Sequence, residues 1–349
     1  MKILIIRLSS MGDVVQTLPA IEDAARAIQG IRFDWAVDGS FADIPRWHPS
    51  VDAVIAPNMR KWKSNAAEAL KNKELSALVK ELRSVRYDRI VDLQGEMKSA
   101  TLARLAKGPR IGYDSRSVRE WGTQVAYQKR IHVPKGRHSI ARMRELLARA
   151  LEYPVPTSMA EYGVDPSRLP EPAVSLPARF VVLVHATSWT SKNWHLERWQ
   201  QLARLATDAG YVPVLAWGNL AERERARAIA GETGSVLPEM SIAQKAAVIN
   251  QAAAVIGLDT GLSHIAAAFG VPGVSIYGAT DPLLVGATGR DQINLATTFE
   301  CRFCHQRKCT YPVDTLQKPA CLIQFDPADV WSRVEEVIAR KTAGTLAAA

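Results

Sequence analysis

The stretch MKILIIRLSSMGDVVQTLPA, residues 1–20, decides the fold class. Residues 2–7 are mostly apolar and form the pattern of a buried strand, which stops at the polar loop of residues 9–13. From Val14 onward the apolar residues recur at helical spacing. The loop therefore joins a first strand to a first helix. Its carboxylate, Asp13, is either an N-cap of that helix or, if it points into a cleft, a candidate general base.

The alternation of strand and helix continues along the chain. In the first part we predict strands at residues 33–38, 53–57, 89–94 and 111–113 and helices at residues 65–84 and 138–151. A proline-rich connection at residues 153–177 precedes a second alternating series that begins with the apolar RFVVLVHA. This order predicts α/β architecture with two Rossmann-like doubly wound domains and a cleft between them. The predicted boundaries are 1–155 for an acceptor-binding domain, 156–177 for a linker, 178–325 for a nucleotide-sugar-binding domain, and 326–349 for a terminal helix and tail that packs back on the first domain.

Composition narrows the class of protein. The 349 residues are 47% hydrophobic and 23% charged, which is typical of globular domains. No apolar run reaches the roughly 18 residues of a spanning helix, and the first apolar segment is too short for a secretory signal. We expect a cytoplasmic protein.

The positive charge is concentrated in one region. Residues 51–150 carry 22 Lys and Arg against 10 Asp and Glu, whereas the other 249 residues have a net charge of −3, which is 22 basic minus 25 acidic residues. Such a field suits a polyanionic partner, namely nucleic acid, an anionic membrane surface, or an acidic lipid or glycan. A solvated basic face that aids solubility is the alternative. Because no nucleic-acid reading module is recognisable, we expect no nucleic acid.

Three polar stretches directly follow predicted strands, where ligands of parallel sheets bind. They are SSMGD at 9–13, HATSWTSKNW at 185–194 and DTGLSH at 259–264. The second offers several hydroxyls and one ammonium, and the third opens a helix whose amides favour an anion. No P-loop and no GxGxxG unit is present. An ordinary helix cap and a solvated lysine are the competing interpretations, but together the stretches indicate transfer of a group from a nucleotide donor.

The same stretches, with GVPGVSIYGATDP after DTGLSH, resemble the bacterial lipopolysaccharide heptosyltransferases of glycosyltransferase family 9 over nearly the whole chain. FDWAVDGSFADIPRWHPSVDAVI and the following RKWK are similar to the heptosyltransferase I subgroup. The resemblance implies a GT-B fold and inverting transfer of heptose from ADP-heptose to a Kdo hydroxyl of the lipid A inner core. The enzyme would work at the inner face of the inner membrane, with no cofactor for catalysis.

The resemblance also implies roles for individual residues. Asp13 matches the general base, and Lys192 matches the cation that offsets charge on the departing ADP. The other predicted donor-binding residues are Thr187, Ser188, Glu222, Met240, Asp259, Thr260, Gly261 and His264. The predicted acceptor-binding residues, which meet Kdo carboxylates and lipid A phosphates, are Arg60, Lys61, Lys63, Lys98, Arg119, Arg142 and Arg144. Trp47, Trp62 and Trp121 lie among these charges and either contact sugar or bilayer or pack in the core.

The four cysteines set this chain apart from the subgroup. Cys301, Cys304, Cys309 and Cys321 are spaced so that four thiolates can converge on one structural zinc or iron ion. Reduced cysteines and disulfides are the alternatives. This cluster also leaves open a second-heptose enzyme or a protein heptosyltransferase. A sugar-nucleotide isomerase on the same scaffold is a further alternative, which would need additional acids and bases around the sugar ring.

Overall fold

The computed structural model describes residues 1–58, 73–312 and 317–348. The chain divides into two compact units, unit 1 (Met1–Arg168) and unit 2 (Leu169–Ala349). The boundary falls inside the predicted linker of residues 156–177.

Unit 1 is built on a six-stranded parallel sheet. Its strands are β1 (Lys2–Ile6), β2 (Arg32–Ala36), β3 (Val51–Ile55), β4 (Arg89–Asp92), β5 (Arg110–Tyr113) and β6 (Lys129–Ile131). They lie in the order β3-β2-β1-β4-β5-β6, with β1 at the centre between β2 and β4. Ile3, Leu4, Ile5 and Ile6 are buried, as expected for a parallel strand covered on both faces.

The helices of unit 1 connect these strands. They are α1 (Met11–Val15), α2 (Leu18–Ala27), α3 (Asp43–Arg46), α4 (Glu74–Leu82), α5 (Met97–Leu105) and α6 (Ser139–Leu151). Helices α2 and α6 pack together and bury an ion pair, in which Arg144 Nε lies 2.5 Å from Asp23 Oδ2 and Arg144 Nη2 lies 3.0 Å from Asp23 Oδ1. Arg144 also donates to the carbonyl of Ser158 at 2.8 Å. The guanidinium of Arg144 therefore links α6 to α2 and holds the segment that contains Ser158.

Unit 2 repeats the same topology. Its parallel sheet contains β7 (Phe180–Val184), β8 (Val212–Leu215), β9 (Ser235–Val236), β10 (Ala254–Leu258), β11 (Gly273–Tyr277) and β12 (Gln292–Ala296), in the order β12-β11-β10-β7-β8-β9. Its helices are α7 (Leu196–Asp208), α8 (Leu220–Ala230), α9 (Ile242–Gln251), α10 (Gly261–Ala268), α11 (Pro282–Val285) and α12 (Pro327–Ala348). Both sheets thus have the strand order of a Rossmann domain, with the topological switch point beside the first strand.

Most predicted elements are confirmed. The elements that were not predicted are α3, α5, β6, β9, α11 and β12. Helix α5 has a mixed sequence without a clear apolar stripe, and β6 has only three residues, so neither has a periodic pattern. The helix predicted at residues 65–84 is seen as α4, and residues 65–72 lie outside the described part of the chain. No described helix is long and apolar enough to cross a membrane.

The terminal helix belongs to the core of unit 2. Helix α12 packs on α7, β10 and β11, and Val330, Trp331 and Val334 are part of the buried core of that unit. Packing of this terminal segment on the first domain stays a prediction.

Arg144→Ala is expected to destabilise the protein by about 3–5 kcal/mol, because it leaves the Asp23 carboxylate buried without its partner. Urea-induced unfolding measures this change. Lys129→Ala, which removes an ion pair with Glu152 between two exposed side chains, is the control and should leave the free energy of unfolding almost unchanged. The double variant Asp23→Leu/Arg144→Met should regain most of the loss. Equal effects of Arg144→Ala and Lys129→Ala would contradict a structural role of Arg144.

Candidate active site

The loop after β1 is held at the carboxyl end of the central strand. The side-chain carbonyl of Gln94 accepts from the N–H of Leu8 at 2.7 Å. Ser10 is the N-cap of α1, and Asp13 Oδ2 accepts from the N–H of Ser10 at 2.9 Å and from its hydroxyl at 2.8 Å. Asp13 is therefore the third residue of a capping box, and Ser10, not Asp13, is the N-cap of this helix.

The other oxygen of Asp13 faces a cation. Arg7 Nη2 lies 2.6 Å from Asp13 Oδ1, and Arg7 Nη1 donates to the carbonyl of Leu93 at 2.8 Å. Burial raises the pKa of Asp13, but the charge of Arg7 and the bonds from Ser10 outweigh it and hold that pKa below its ordinary value. Asp13 is thus an ionised carboxylate at neutral pH. Among the groups that lower this pKa, Arg7 has the largest effect, and it lies in direct contact with the carboxylate.

Asp13 retains capacity for a ligand. Its three bonds, two from Ser10 and one from Arg7, use three of the roughly four lone-pair sites of a carboxylate. Its side chain is 24% exposed. One lone pair is therefore available to a hydroxyl group that approaches from the solvent side. Asp13 is both a member of the capping box and a candidate base.

Two of the predicted acceptor-binding cations lie beside this loop. Lys98 Nζ donates to the Ser9 hydroxyl at 3.0 Å and lies 3.1 Å from Glu96 Oε2. Arg119 Nε lies 3.2 Å from Glu96 Oε1, and its charge also lowers the pKa of Asp13. The structure therefore gathers Lys98, Arg119 and Asp13 around one carboxyl edge of the sheet.

The remaining predicted acceptor-binding residues are placed differently. Arg142 donates to the carbonyl of Ser117 at 2.8 Å and lies over the ring of Tyr113. Arg144 is buried in its pair with Asp23, so all of the contacts described for it are structural. Arg60, Lys61 and Lys63, like Trp62, lie outside the described residues.

In unit 2 the candidate donor residues centre on Asp259, at the end of β10. Lys192 Nζ donates to Asp259 Oδ2 at 2.6 Å, and the Thr280 hydroxyl donates to the same oxygen at 2.6 Å. His264 Nε2 lies 3.8 Å from Asp259 Oδ1. Burial raises the pKa of Asp259, but His264 and the charge of Lys192 hold it well below its ordinary value. The carboxylate is ionised and fixes the ammonium in place.

Helix α10 begins directly beyond this pair. Thr260 is its N-cap and accepts from the N–H of Leu262 at 3.2 Å, while Gly261 is its first residue. His264 is buried in the same first turns. The predicted motif DTGLSH therefore does place a helix N-terminus beside Asp259, as an anion site requires.

The loop after β7 brings Thr187 and Ser188 to the same edge of the sheet. The N–H of Thr187 donates to Asn193 Oδ1 at 2.9 Å, and Ser188 is exposed. The Lys192 ammonium lies 4.4 Å from the centre of the Trp189 ring, a cation–π contact that further restricts it. Hydroxyls and the ammonium thus share one short loop.

The predicted ribose and adenine positions follow β8. Glu222 lies in the first turn of α8, where it accepts from the N–H of Gly218 at 2.7 Å and from Asn219 Nδ2 at 2.9 Å. Met240 is buried directly before the N-cap of α9. Their roles toward a nucleotide stay predictions.

The cysteines are all free thiols; Cys321 is buried and the other three are half-buried. Burial, and then the neighbouring thiols of Cys301, Cys309 and Cys304, raise the pKa of Cys321 to about 12. Within the described ranges, no three or more His, Cys, Asp or Glu side chains are arranged to hold a metal ion. The metal site therefore stays a prediction from spacing, and no chemical step is assigned to it.

Sequence reasoning missed three residues that build the site. Arg7 neutralises Asp13, Gln94 anchors the loop at Leu8, and Thr280 orients Asp259. Arg7 could have been found, because a charged residue at the end of a buried strand needs a partner. Thr280 could have been found as well, because it follows the strand β11. Gln94 had no such signal.

Comparisons with known proteins agree with this geometry. The sequence profile of glycosyltransferase family 9 (heptosyltransferase) matches residues 75–313. Lipopolysaccharide heptosyltransferase 1 of Pseudomonas aeruginosa is 40% identical over 97% of this chain and 98% of its own length. The heptosyltransferase of the same name in Escherichia coli K12 is also 40% identical, over 84% of this chain and 92% of its own length.

A solved structure, E. coli heptosyltransferase WaaC with ADP, matches with a TM-score of 0.84 and 36% identity over 97% of this chain and 100% of that one. The predicted α/β fold class, GT-B with two Rossmann-like domains, is confirmed. The chain belongs to glycosyltransferase family 9, the heptosyltransferases.

Proposed function

We propose that this glycosyltransferase moves heptose from ADP-heptose to a Kdo hydroxyl of the lipid A inner core, with inversion at the transferred carbon. The observation that carries the proposal is the Lys192–Asp259 pair beside the N-terminus of α10. A fixed ammonium next to unpaired helix amides is a site for a diphosphate. The names of the relatives, lipopolysaccharide heptosyltransferases, support the sugar and the acceptor.

Lys192 supplies positive charge to the leaving group. An ammonium has three N–H donors, and Asp259 takes one of them, so two are available to phosphate oxygens. As the bond to the sugar breaks, negative charge grows on the ADP oxygen, and Lys192 and the helix amides stabilise it. Because Lys192 and the helix amides already stabilise the negative charge on ADP, the proposed reaction requires no cofactor. A structure of E. coli WaaC with ADP-2-deoxy-2-fluoro heptose, 35% identical over 96% of this chain and 99% of that one with a TM-score of 0.81, supports this donor class.

Asp13 receives the proton of the acceptor hydroxyl. Its depressed pKa makes it a weak base, so the proton moves as the acceptor oxygen attacks the sugar carbon rather than before. A single attack from the side opposite ADP inverts the configuration of that carbon. Lys98 and Arg119, beside the same loop, bind acidic groups of the acceptor.

The acceptor is anchored in a lipid, so the enzyme works as a peripheral protein on the inner face of the inner membrane. The excess of Lys and Arg in residues 51–150 supports this placement, because anionic lipids attract clustered basic residues. The partners are ADP-heptose, Kdo-lipid A and that membrane surface.

Asp13→Ala is expected to lower kcat for ADP release from ADP-heptose by about a hundredfold or more, the scale of a lost general base. The assay compares release with and without deacylated Kdo-lipid A. Asp13→Asn, which keeps the size of the side chain, is the matched variant and should be similarly slow. A variant nearly as active as wild type would mean that Asp13 is only a member of the capping box, and release independent of acceptor would contradict the transfer reaction.

Arg7→Met is expected to move the acid limb of the pH–rate profile to higher pH, because the charge of Arg7 helps to hold the pKa of Asp13 below its ordinary value. Without Arg7 the pKa of Asp13 rises. When the solution is acidified, the active carboxylate is then protonated at a higher pH than in the wild type. Arg7→Lys should retain most of the wild-type profile. An acid limb that does not move in Arg7→Met would show that this pair does not set the protonation of the base.

A further inference from the structure

Three large apolar side chains are exposed on neighbouring segments of unit 1. Trp121 is 82% exposed, Val125 is 65% exposed and Met97 is 58% exposed. Trp121 precedes the 3₁₀ helix Thr123–Ala126, which contains Val125 and packs against α5, the helix that Met97 begins. Exposing so much of a tryptophan side chain to water is unfavourable. Single exposed apolar residues are ordinary on protein surfaces, whereas a group of them indicates a contact surface.

The two segments are fixed to each other by polar bonds. The Glu120 carboxylate accepts from the N–H of Met97 at 2.7 Å, and the N–H of Glu120 donates to the carbonyl of Gly95 at 3.0 Å. Met97, Trp121 and Val125, which we name the apolar platform, therefore lie on two segments that the fold of unit 1 holds together.

The stretch of sequence that contains the apolar platform is strongly basic. Residues 97–137 contain ten Lys and Arg but only two Asp and Glu, Asp114 and Glu120. Both acids are engaged: Glu120 bonds Met97, and Asp114 bonds Ser117 and His132. Arg116 and Arg119 lie shortly before Trp121 in sequence, and both are well exposed. Arg116 Nε lies 3.8 Å from Asp114 Oδ2, and Arg119 Nε lies 3.2 Å from Glu96 Oε1, so Arg116 has the longer ion pair of the two.

We propose that the apolar platform inserts into the headgroup region of an anionic lipid bilayer, with the surrounding Lys and Arg side chains on the lipid phosphates. Tryptophan prefers the boundary between headgroups and acyl chains, and an apolar surface bordered by basic residues is the pattern of a peripheral membrane site. Charge complementarity selects the anionic bilayer over a neutral one.

The inference extends the proposed function, on which it rests for the lipid-linked acceptor. Lys98 and Arg119, which we assign to the acceptor, lie next to the apolar platform, and Lys98 contacts Ser9 in the loop of Asp13. A bilayer bound at the platform would therefore present its headgroups near the general base.

Vesicle co-sedimentation tests the proposal without any acceptor or donor. The vesicles are phosphatidylcholine alone or with part of it replaced by phosphatidylglycerol. We expect wild type to bind the anionic vesicles and to bind less at high salt. Trp121→Ala should bind at least about tenfold more weakly, the effect of removing a large aromatic contact surface from the bilayer. Leu283→Ala, which removes an equally exposed side chain in unit 2 (79% exposed), is the matched control and should bind like wild type.

Activity assays separate this inference from the proposed function. Trp121→Ala should keep wild-type ADP release with deacylated, soluble acceptor and lose it with acceptor embedded in anionic vesicles. Equal loss with both acceptors would overturn the proposal and make Trp121 a sugar contact. A changed molecular mass by light scattering with unchanged vesicle binding would overturn it in favour of a second protein copy. Unchanged circular dichroism melting of Trp121→Ala guards against a folding defect, and Val125→Ser repeats the test at a second position.

Discussion

A charged side chain at the end of a buried parallel strand must be neutralised, and the site depends on how this chain does so. Arg7 follows β1 at the centre of unit 1, where its guanidinium is almost fully shielded from water, and it contacts Asp13 at 2.6 Å. An unpaired charge at that position would cost several kcal/mol. The pair therefore positions Asp13 and keeps it ionised, while the loop that carries it remains open to solvent on one side.

Unit 2 contains a comparable ion pair with the charges exchanged, because the residue at the strand end is acidic and the residue in the loop is basic. Here the carboxylate, Asp259, follows the central strand β10, and the ammonium of Lys192 arrives from the loop after β7. Thr280, which follows β11, donates its hydroxyl to the same oxygen of Asp259, so residues that follow three strands meet there. In the proposed mechanism, two copies of one topology thus provide an anion held by a cation for proton transfer and a cation held by an anion for phosphate binding. In both pairs, one member holds in place the residue to which we assign a chemical role.

The sequence predicted the fold well because its central strands are long apolar runs bounded by polar loops, as in residues 2–6 and 180–184. It also predicted the loops that carry Asp13, Lys192 and Asp259, since ligands of parallel sheets bind at strand ends. It did not predict the partners Arg7 and Gln94, because which side chains meet across a strand end depends on register between β1 and β4, which periodicity does not reveal. For a similar reason the pair of Arg144 with Asp23 was not predicted, because Asp23 lies far away in sequence and meets Arg144 only through helix packing. Short β6 and mixed α5 had no pattern strong enough to detect.

The configuration of the transferred carbon tests the central claim, that Asp13 acts as a base in one displacement and not as a nucleophile. Nuclear magnetic resonance of the product formed from ADP-heptose and deacylated acceptor measures it directly. We predict the configuration opposite to that of the donor, because the acceptor oxygen enters from the face opposite the departing ADP. Retention of the donor configuration would require two successive displacements through a covalent sugar–enzyme intermediate, and it would contradict the role assigned to Asp13.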